Sequence, residues 1–343
     1  MVAAEVKAVR NSVGIMDVTA FTKVEVAGPD AYALLDRLTA NRMPQKVGSI
    51  TLTHMLNRRG RIELETTIVR MAEDRFYLVC AAFFEQRLLD HLNQHQRGED
   101  ATITALSSDW SALSLNGPAS RDVLAACTDA DLTNAGFRWL SAQEITVAGH
   151  KVWAFRMSYA GELGWELHMP NAACVDVYSA LWAAGEAHGI ADYGSFAMSV
   201  MRMEKAFKGA GELTNEVTLA EADVLRFART DKDYFGRDKT LNTDLPWICA
   251  YLTIDADGVA DGHGGEAVMH KGQVVGSTAS VVYSPTVGKV LAFAYIKPHA
   301  ARAGTELQVI IHGRPRPARV EAEPVYDPES KLPRTDAILE PAQ

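Results

Sequence analysis

Two similar units of alternating hydrophobic and polar residues occur in the first part of the chain. In residues 22–38 an alternating strand pattern ends at Gly28-Pro29, and a helical pattern follows. Residues 111–124 repeat the same order of strand, Gly117-Pro118 and helix. Proline is well tolerated where a helix begins, because its missing N–H would be unpaired there. The repetition predicts an internal duplication and two related α+β halves. Chance recurrence of a common turn is the alternative.

Further strands are predicted between the two units. Residues 5–13 predict a short helix, and residues 15–17 lead into the first strand. Residues 51–70 predict two strands joined by a polar turn at residues 57–60. The second of these strands alternates, so Ile62, Leu64, Thr66 and Ile68 share one face and Glu63, Glu65, Thr67 and Val69 share the other.

The pattern changes at about Pro246, after which strands dominate and the turns carry glycine. Seven short strands are predicted, at residues 248–253, 267–270, 273–275, 278–283, 290–296, 306–311 and 316–321. We therefore predict an α+β unit over residues 1–240, made of the two related halves, and an all-β barrel-like domain over residues 246–335.

Composition narrows the function classes. The net charge of −9 argues against general binding of nucleic acid or an anionic membrane. The four cysteines are far apart, which predicts reduced core residues of a cytoplasmic protein and neither a disulfide framework nor a metal site. No glycine-rich dinucleotide fingerprint and no P-loop occurs, so this chain alone is not expected to hold FAD or NAD. It begins abruptly on a helical pattern, so we expect a piece of a longer protein.

A glycine-rich turn is the strongest candidate site. It follows a strand-like run and has the sequence Ser158-Tyr159-Ala160-Gly161-Glu162-Leu163-Gly164-Trp165-Glu166. Two glycines in such a unit let the backbone approach something flat. A buried Glu166 would need a donor, and a pterin-like ring with adjacent N–H and NH2 groups supplies two. An ordinary hairpin with Tyr159 and Glu166 on a wet face is the alternative.

This motif resembles the signature of the folate-binding aminomethyltransferases, the family of the glycine cleavage T-protein. Its spelling is most similar to the C-terminal tetrahydrofolate domain of dimethylglycine and sarcosine dehydrogenases. The resemblance continues through Arg202-Met203-Glu204-Lys205, through residues 234–238 and through Ser284-Pro285 of the barrel. It implies tetrahydrofolate as cofactor, with Tyr159 and Glu166 in contact with the folate.

The resemblance also implies two further site residues. An acid on the strand after the 57–60 turn lies near the reactive folate nitrogens in the family, and it corresponds to Glu65 here. Glycine cleavage members usually carry aspartate at that place. An arginine that lines the folate cleft corresponds to Arg202. From the residues alone, a solvated strand position is the favoured interpretation of Glu65, and an internal salt bridge is an open alternative for Arg202.

Three functions are compatible with the sequence. The first is tetrahydrofolate-dependent one-carbon transfer from a small-molecule donor of the dimethylglycine or sarcosine type, with a flavin-dependent dehydrogenase domain or subunit as partner. The second is a stand-alone demethylase that takes a methyl group from a sulfonium, ammonium or aryl ether. The third is a non-enzymatic folate-binding factor. Relatives of that kind carry Lys-Gly-Cys-Tyr, whereas this chain has Lys208-Gly209-Ala210-Gly211 and no cysteine there.

Overall fold

The computed structural model describes residues 1–242, 244–255 and 262–334. The α-helices in these residues are α1 Val2–Asn11, α2 Ala31–Leu38, α3 Glu85–His95, α4 Ser120–Ala125, α5 Cys174–Gly185, α6 Ser195–Glu204 and α7 Arg237–Thr240. The strands up to the barrel are β1 Gly14–Asp17, β2 Thr22–Ala27, β3 Ile50–Leu56, β4 Ile62–Ala72, β5 Arg75–Cys80, β6 Thr102–Ala105, β7 Trp110–Asn116, β8 Ala142–Val147, β9 His150–Phe155, β10 Gly164–Pro170 and β11 Ala191–Asp192. The barrel strands are β12 Ile248–Ile254, β13 Ala267–His270, β14 Gln273–Ser284, β15 Lys289–Ile296, β16 Glu306–Ile311 and β17 Arg314–Val320.

The first half is built on a five-stranded antiparallel sheet in the order β3-β4-β5-β2-β6. Helices α2 and α3 cover one face of it, and the apolar residues of the two helices and of the strands form one core. Leu64 and Ile68 of β4 belong to this core and are fully buried. The alternation of β4 therefore turns Glu65 to the opposite face of the sheet.

The second half is built on a six-stranded sheet in the order β11-β1-β7-β10-β9-β8, packed against α4 and α5. No separate strand was predicted for residues 15–17, which were expected to lead into the first strand. They form β1, which pairs with β7 and with β11 of the second sheet. The reason is packing, because Val13 and Ile15 are fully buried in the core of the second half.

The two sheets meet through their inner faces. Val69, Tyr77 and Val79 of the first sheet share an apolar cluster with Ala142 and Phe155 of the second half. Glu65 lies on the same strand and the same face as Val69. The first sheet therefore presents the Glu65 face toward the second sheet.

The last six strands form a closed barrel in the order β12-β15-β14-β13-β16-β17. Sequence predicted seven strands, with a break at Gly276; residues 273–284 instead form one strand, β14. A bulge between Thr278 and Ser280 bends that strand without ending it. The predicted fold class, an α+β protein with two halves and a β-barrel, is confirmed. The domain limits at residues 240 and 246 stay a prediction, and residues 256–261 and 335 of the second range lie outside the described residues. No helix in the described ranges is long and apolar enough to cross a membrane.

Candidate functional site

Glu65 is placed by the pairing of β3 with β4. It lies opposite His54, and its Oε1 is 3.2 Å from His54 Nε2. The His54 side chain is fully buried, whereas 27% of the Glu65 side chain is exposed. Its position between a buried imidazole and open space gives this carboxylate access to a ligand.

Tyr159 lies in the turn between β9 and β10, and it is half-buried. Its hydroxyl donates to the carbonyl of Lys208 at 3.0 Å, and its ring lies nearly parallel to Phe207, 6.1 Å away. The pKa of Tyr159 is raised, mainly by burial. The nearby Arg202 charge opposes this rise, and the charges of Glu65 and Glu212 add to it. The structure therefore brings Tyr159, Glu65 and Arg202 into one electrostatic neighbourhood.

Arg202 lies on α6 with 7% of its surface exposed. Its Nη1 donates to Glu212 Oε2 at 2.9 Å and to the carbonyl of Phe207 at 3.0 Å. The internal salt bridge that the sequence left open is therefore present, and Glu212 is the partner that sequence reasoning did not identify. A contact between Arg202 and folate stays a prediction.

Glu166 lies in the middle of β10, between Ser114 of β7 and Phe155 of β9, and 8% of its surface is exposed. Its Oε2 is 3.6 Å from Nε2 of the fully buried His168, two residues along the same face. Tyr77 and Tyr193 are buried tyrosines near Glu166. Burial is the main cause that raises the pKa of both hydroxyls, and the negative charge of Glu166 adds to the rise.

Both glycines of the turn face other parts of the protein on their Cβ side. A Cβ at Gly164 would lie 2.3 Å from Asn116 Oδ1. Gly161 has φ +80°, and a Cβ there would lie 2.4 Å from Cγ of Lys205. The Asn116 amide and the alkyl chain of Lys205 therefore pack directly on the turn, and an approach of the turn to a flat ligand stays a prediction.

Sequence reasoning also missed a buried ionic network behind the turn. Arg10 of α1 contacts Glu162 Oε1 at 2.7 Å and Glu204 Oε2 at 2.6 Å, and the three side chains are at most 5% exposed. Ser284 of the barrel donates to Glu204 at 2.6 Å, and Tyr326 donates to Glu162 at 2.7 Å. No sequence motif marks Arg10, Glu162 and Glu204 as partners. The network joins α1, the turn, α6 and the barrel.

The polar groups of the site suit reduced folate. Glu65 and Glu166 are carboxylates with partly exposed side chains, and a pterin ring presents N–H donors to such acceptors. The nearly parallel Tyr159 and Phe207 rings add an aromatic surface within reach of the Glu65 charge. Among the described residues no group of three His, Cys, Asp or Glu side chains could hold a metal ion.

Comparisons with known proteins identify the family of this chain. The GCVT N-terminal domain model matches residues 1–232, and the glycine cleavage T-protein C-terminal barrel model matches residues 249–327. The chain is 34% identical to mouse dimethylglycine dehydrogenase over 94% of its length, and 32% identical to mouse sarcosine dehydrogenase over 87%. It is 31% identical to the formaldehyde-forming 4-methylaminobutanoate oxidase of Paenarthrobacter nicotinovorans over 96%.

The chain spans well under half of these relatives, namely 38%, 34% and 40% of their respective lengths. Among solved structures, the aminomethyltransferase T of the glycine cleavage system from Bartonella henselae has a TM-score of 0.86 with 21% identity. The match covers 95% of this chain and 90% of that one, and it supports the fold. The expected resemblance is confirmed, and tetrahydrofolate is the cofactor of this family of enzymes.

Proposed function

Because this chain belongs to the glycine cleavage T-protein family, we propose that it accepts a one-carbon unit from an N-methylated amine of the dimethylglycine or sarcosine type. The product is 5,10-methylenetetrahydrofolate. The observation that carries the proposal is the position of Glu65. It lies on the inner face of the first sheet beside the buried His54, its side chain is 27% exposed, and its charge acts on Tyr159.

Bound tetrahydrofolate supplies the nitrogen that accepts the one-carbon unit. Glu166 accepts hydrogen bonds from the donor edge of the pterin. The burial of Glu166 strengthens these hydrogen bonds. Tyr159 and Phe207 pack beside the ring. Arg202 is already paired with Glu212, so its attraction for the folate tail is weaker than that of an unpaired arginine.

Glu65 is the proposed catalytic group. As a carboxylate it stabilises positive charge that develops on the amine nitrogen during transfer, and it takes or holds a proton there. His54 lies at 3.2 Å on the other side and limits the positions of the Glu65 side chain. A fixed carboxylate lowers the barrier without reorganisation at the moment of reaction.

The oxidation that prepares the one-carbon unit needs a partner. The relatives are named dehydrogenases and oxidases, and this chain spans only 34–40% of the three compared above. We propose that a flavin-dependent domain or subunit oxidises the N-methyl group, and that this chain takes up the resulting one-carbon unit. Channelling to the Glu65 neighbourhood would keep that reactive unit from water.

The test combines the chain with a flavin-dependent dehydrogenase unit, dimethylglycine or sarcosine, and tetrahydrofolate. Formation of 5,10-methylenetetrahydrofolate in excess of a mixture without the chain is the expected result. Equal yields with and without the chain would contradict the proposal. Methyl transfer by the chain from a sulfonium, ammonium or aryl ether, with no dehydrogenase present, would instead favour the stand-alone demethylase.

A further inference from the structure

A buried chain of polar side chains connects the two halves behind Glu166. Tyr77 lies on β5 of the first sheet, and His168 lies on β10 of the second. The Tyr77 hydroxyl is 3.2 Å from His168 Nδ1, in a buried contact. On the other side of the imidazole, His168 Nε2 is 3.6 Å from Glu166 Oε2 and has no hydrogen-bond partner.

The protonation states of Tyr77, His168 and Glu166 follow from the chemistry of the three side chains. A carboxylate only accepts hydrogen bonds, so an imidazole nitrogen that engages Glu166 must carry hydrogen. In that tautomer Nδ1 is an acceptor, and the Tyr77 hydroxyl donates to it. Burial raises the pKa of Tyr77, which keeps that hydroxyl protonated. Burial and the nearby Lys23 charge lower the pKa of His168, opposed by Glu166, so the imidazole is neutral at pH 7.

The imidazole is also held firmly in place. Its ring lies 4.5 Å from that of Phe155, tilted by 31°, and 5.5 Å from Tyr77 in an edge-on contact. The charged and titratable groups that face it are Glu166 from its own strand, Tyr77 from β5 and Lys23 from β2. Lys23 is fully buried and donates to the carbonyls of Thr19 and Phe21 at 2.8 Å.

We propose that His168 is a positioning residue, held as its Nε2–H tautomer by Tyr77, and that it fixes Oε2 of Glu166 and leaves Oε1 for the donor edge of reduced folate. This inference rests on the proposed function, because Glu166 matters only if folate binds there. The contact of 3.6 Å is longer than a hydrogen bond. We expect it to shorten when a ligand engages the other oxygen, because such contacts tighten in the complex. Such supporting contacts commonly decide how well a binding group is oriented.

The tautomer is tested first, without any ligand. The unliganded protein is labelled with nitrogen-15 in its histidine rings and studied by NMR between pH 6 and 8. The signal that disappears in His168→Phe identifies His168. We expect a neutral Nε2–H ring across this range, and a changed tautomer pattern in Tyr77→Phe. A neutral Nδ1–H ring, or a ring that titrates within this range, would overturn the proposal.

The second test measures tetrahydrofolate affinity by calorimetry in a double-mutant cycle. His168→Phe should weaken binding about tenfold, as expected for a lost hydrogen bond to a charged group. In a Glu166→Gln background the same change should have an effect of less than about twofold, because its partner charge is gone. His168→Gln, which keeps an N–H donor, should restore most of the affinity. The matched control is His91→Phe, at a buried histidine on α3, away from the turn. It should leave affinity unchanged.

The outcomes separate the inference from the function that it rests on. Equal effects of His168→Phe in both backgrounds would show a merely structural role and would overturn the inference alone. No binding by the wild-type chain would overturn the proposed function, and the ligand role of His168 with it. If His168→Phe does not fold, Tyr77→Phe in the wild-type and Glu166→Gln backgrounds supplies the same cycle.

Discussion

Arg202 and Glu212 form a buried salt bridge at 2.9 Å, with 8% and 0% of their side chains exposed. The second oxygen of Glu212 is buried and has no hydrogen-bond partner, so the whole carboxylate depends on Arg202 for its neutralisation. The backbone N–H of Gly209 also donates to Glu212 at 2.8 Å, which fixes the chain segment beside Tyr159.

We therefore predict that Arg202→Ala lowers the free energy of unfolding by about 3–5 kcal/mol, because it leaves a buried carboxylate unpaired. Urea denaturation measures the loss. Arg202→Ala combined with Glu212→Ala should recover part of it, since no unpaired charge remains. An unchanged unfolding midpoint in Arg202→Ala, with weaker folate binding, would show that the arginine acts on the ligand alone.

The Arg10 network leads to a second stability prediction. Arg10→Met removes the guanidinium that contacts both Glu162 and Glu204, and it should cost about 3–5 kcal/mol of stability. Thermal and urea unfolding both report it. Lys151→Met removes an exposed partner of Glu144 and should leave stability unchanged. Equal effects of the two substitutions would contradict the assigned role of the buried network.

Substitutions of Glu65 should affect the rate of one-carbon transfer and the affinity for tetrahydrofolate differently. Its charge matters most when positive charge develops on the amine, so removal should lower the rate more than the affinity. We predict that Glu65→Gln keeps tetrahydrofolate affinity within about threefold and slows one-carbon transfer about 100-fold or more. The transfer rate of Glu65→Asp should lie between the rates of the wild type and Glu65→Gln.

The matched control for Glu65 is Glu63→Gln, two residues earlier on the same strand, where the carboxylate faces Arg87 at 3.4 Å. It should transfer at the wild-type rate. Single-turnover kinetics with the dehydrogenase partner give the comparison. A wild-type rate in Glu65→Gln would make Glu65 an ordinary strand residue.

His91 gives the protein a predictable response to acid. Burial, with a smaller contribution from the neighbouring His95, lowers the pKa of His91 from 6.5 to about 4. The unfolded chain then binds the proton more readily, so His91 supports stability above pH 6.5, and that support is lost as the pH falls from 6.5 to 4. The loss should reach about 3 kcal/mol at pH 4.

Denaturant unfolding at several pH values in this window tests the His91 prediction. His91→Phe should flatten the decrease in stability between pH 6.5 and 4, while the exposed His299→Phe should leave it unchanged. A decrease of the same size in His91→Phe would assign the acid response to other groups.

Most of the fold was predictable from the sequence because the periodic patterns are strong. The duplicated strand, Gly-Pro and helix units form β2 with α2 and β7 with α4, as expected. The placement of β1 in the second sheet was not predictable, since a strand pattern specifies its buried face but not its partner strand. The continuous β14 was missed for a related reason, because a bulge and a turn have similar local sequences.

The candidate site was only partly predictable. Glu65, Tyr159, Glu166 and Arg202 were selected from a motif and a resemblance, and their roles toward folate stay predictions. Glu212 and His168 carry no motif of their own, and their importance depends on contacts between residues that are distant in sequence or across a sheet. Such contacts follow from tertiary packing, which no local pattern records.

Calorimetry of tetrahydrofolate binding to the isolated chain, without metal or flavin, tests the central claim most directly. We predict measurable binding by the wild-type chain. Binding should be weaker by about 1–3 kcal/mol in Glu166→Gln, because the pterin donors lose a charged acceptor. An absence of both heat and thermal shift for the wild-type chain at millimolar tetrahydrofolate would contradict folate binding by this chain.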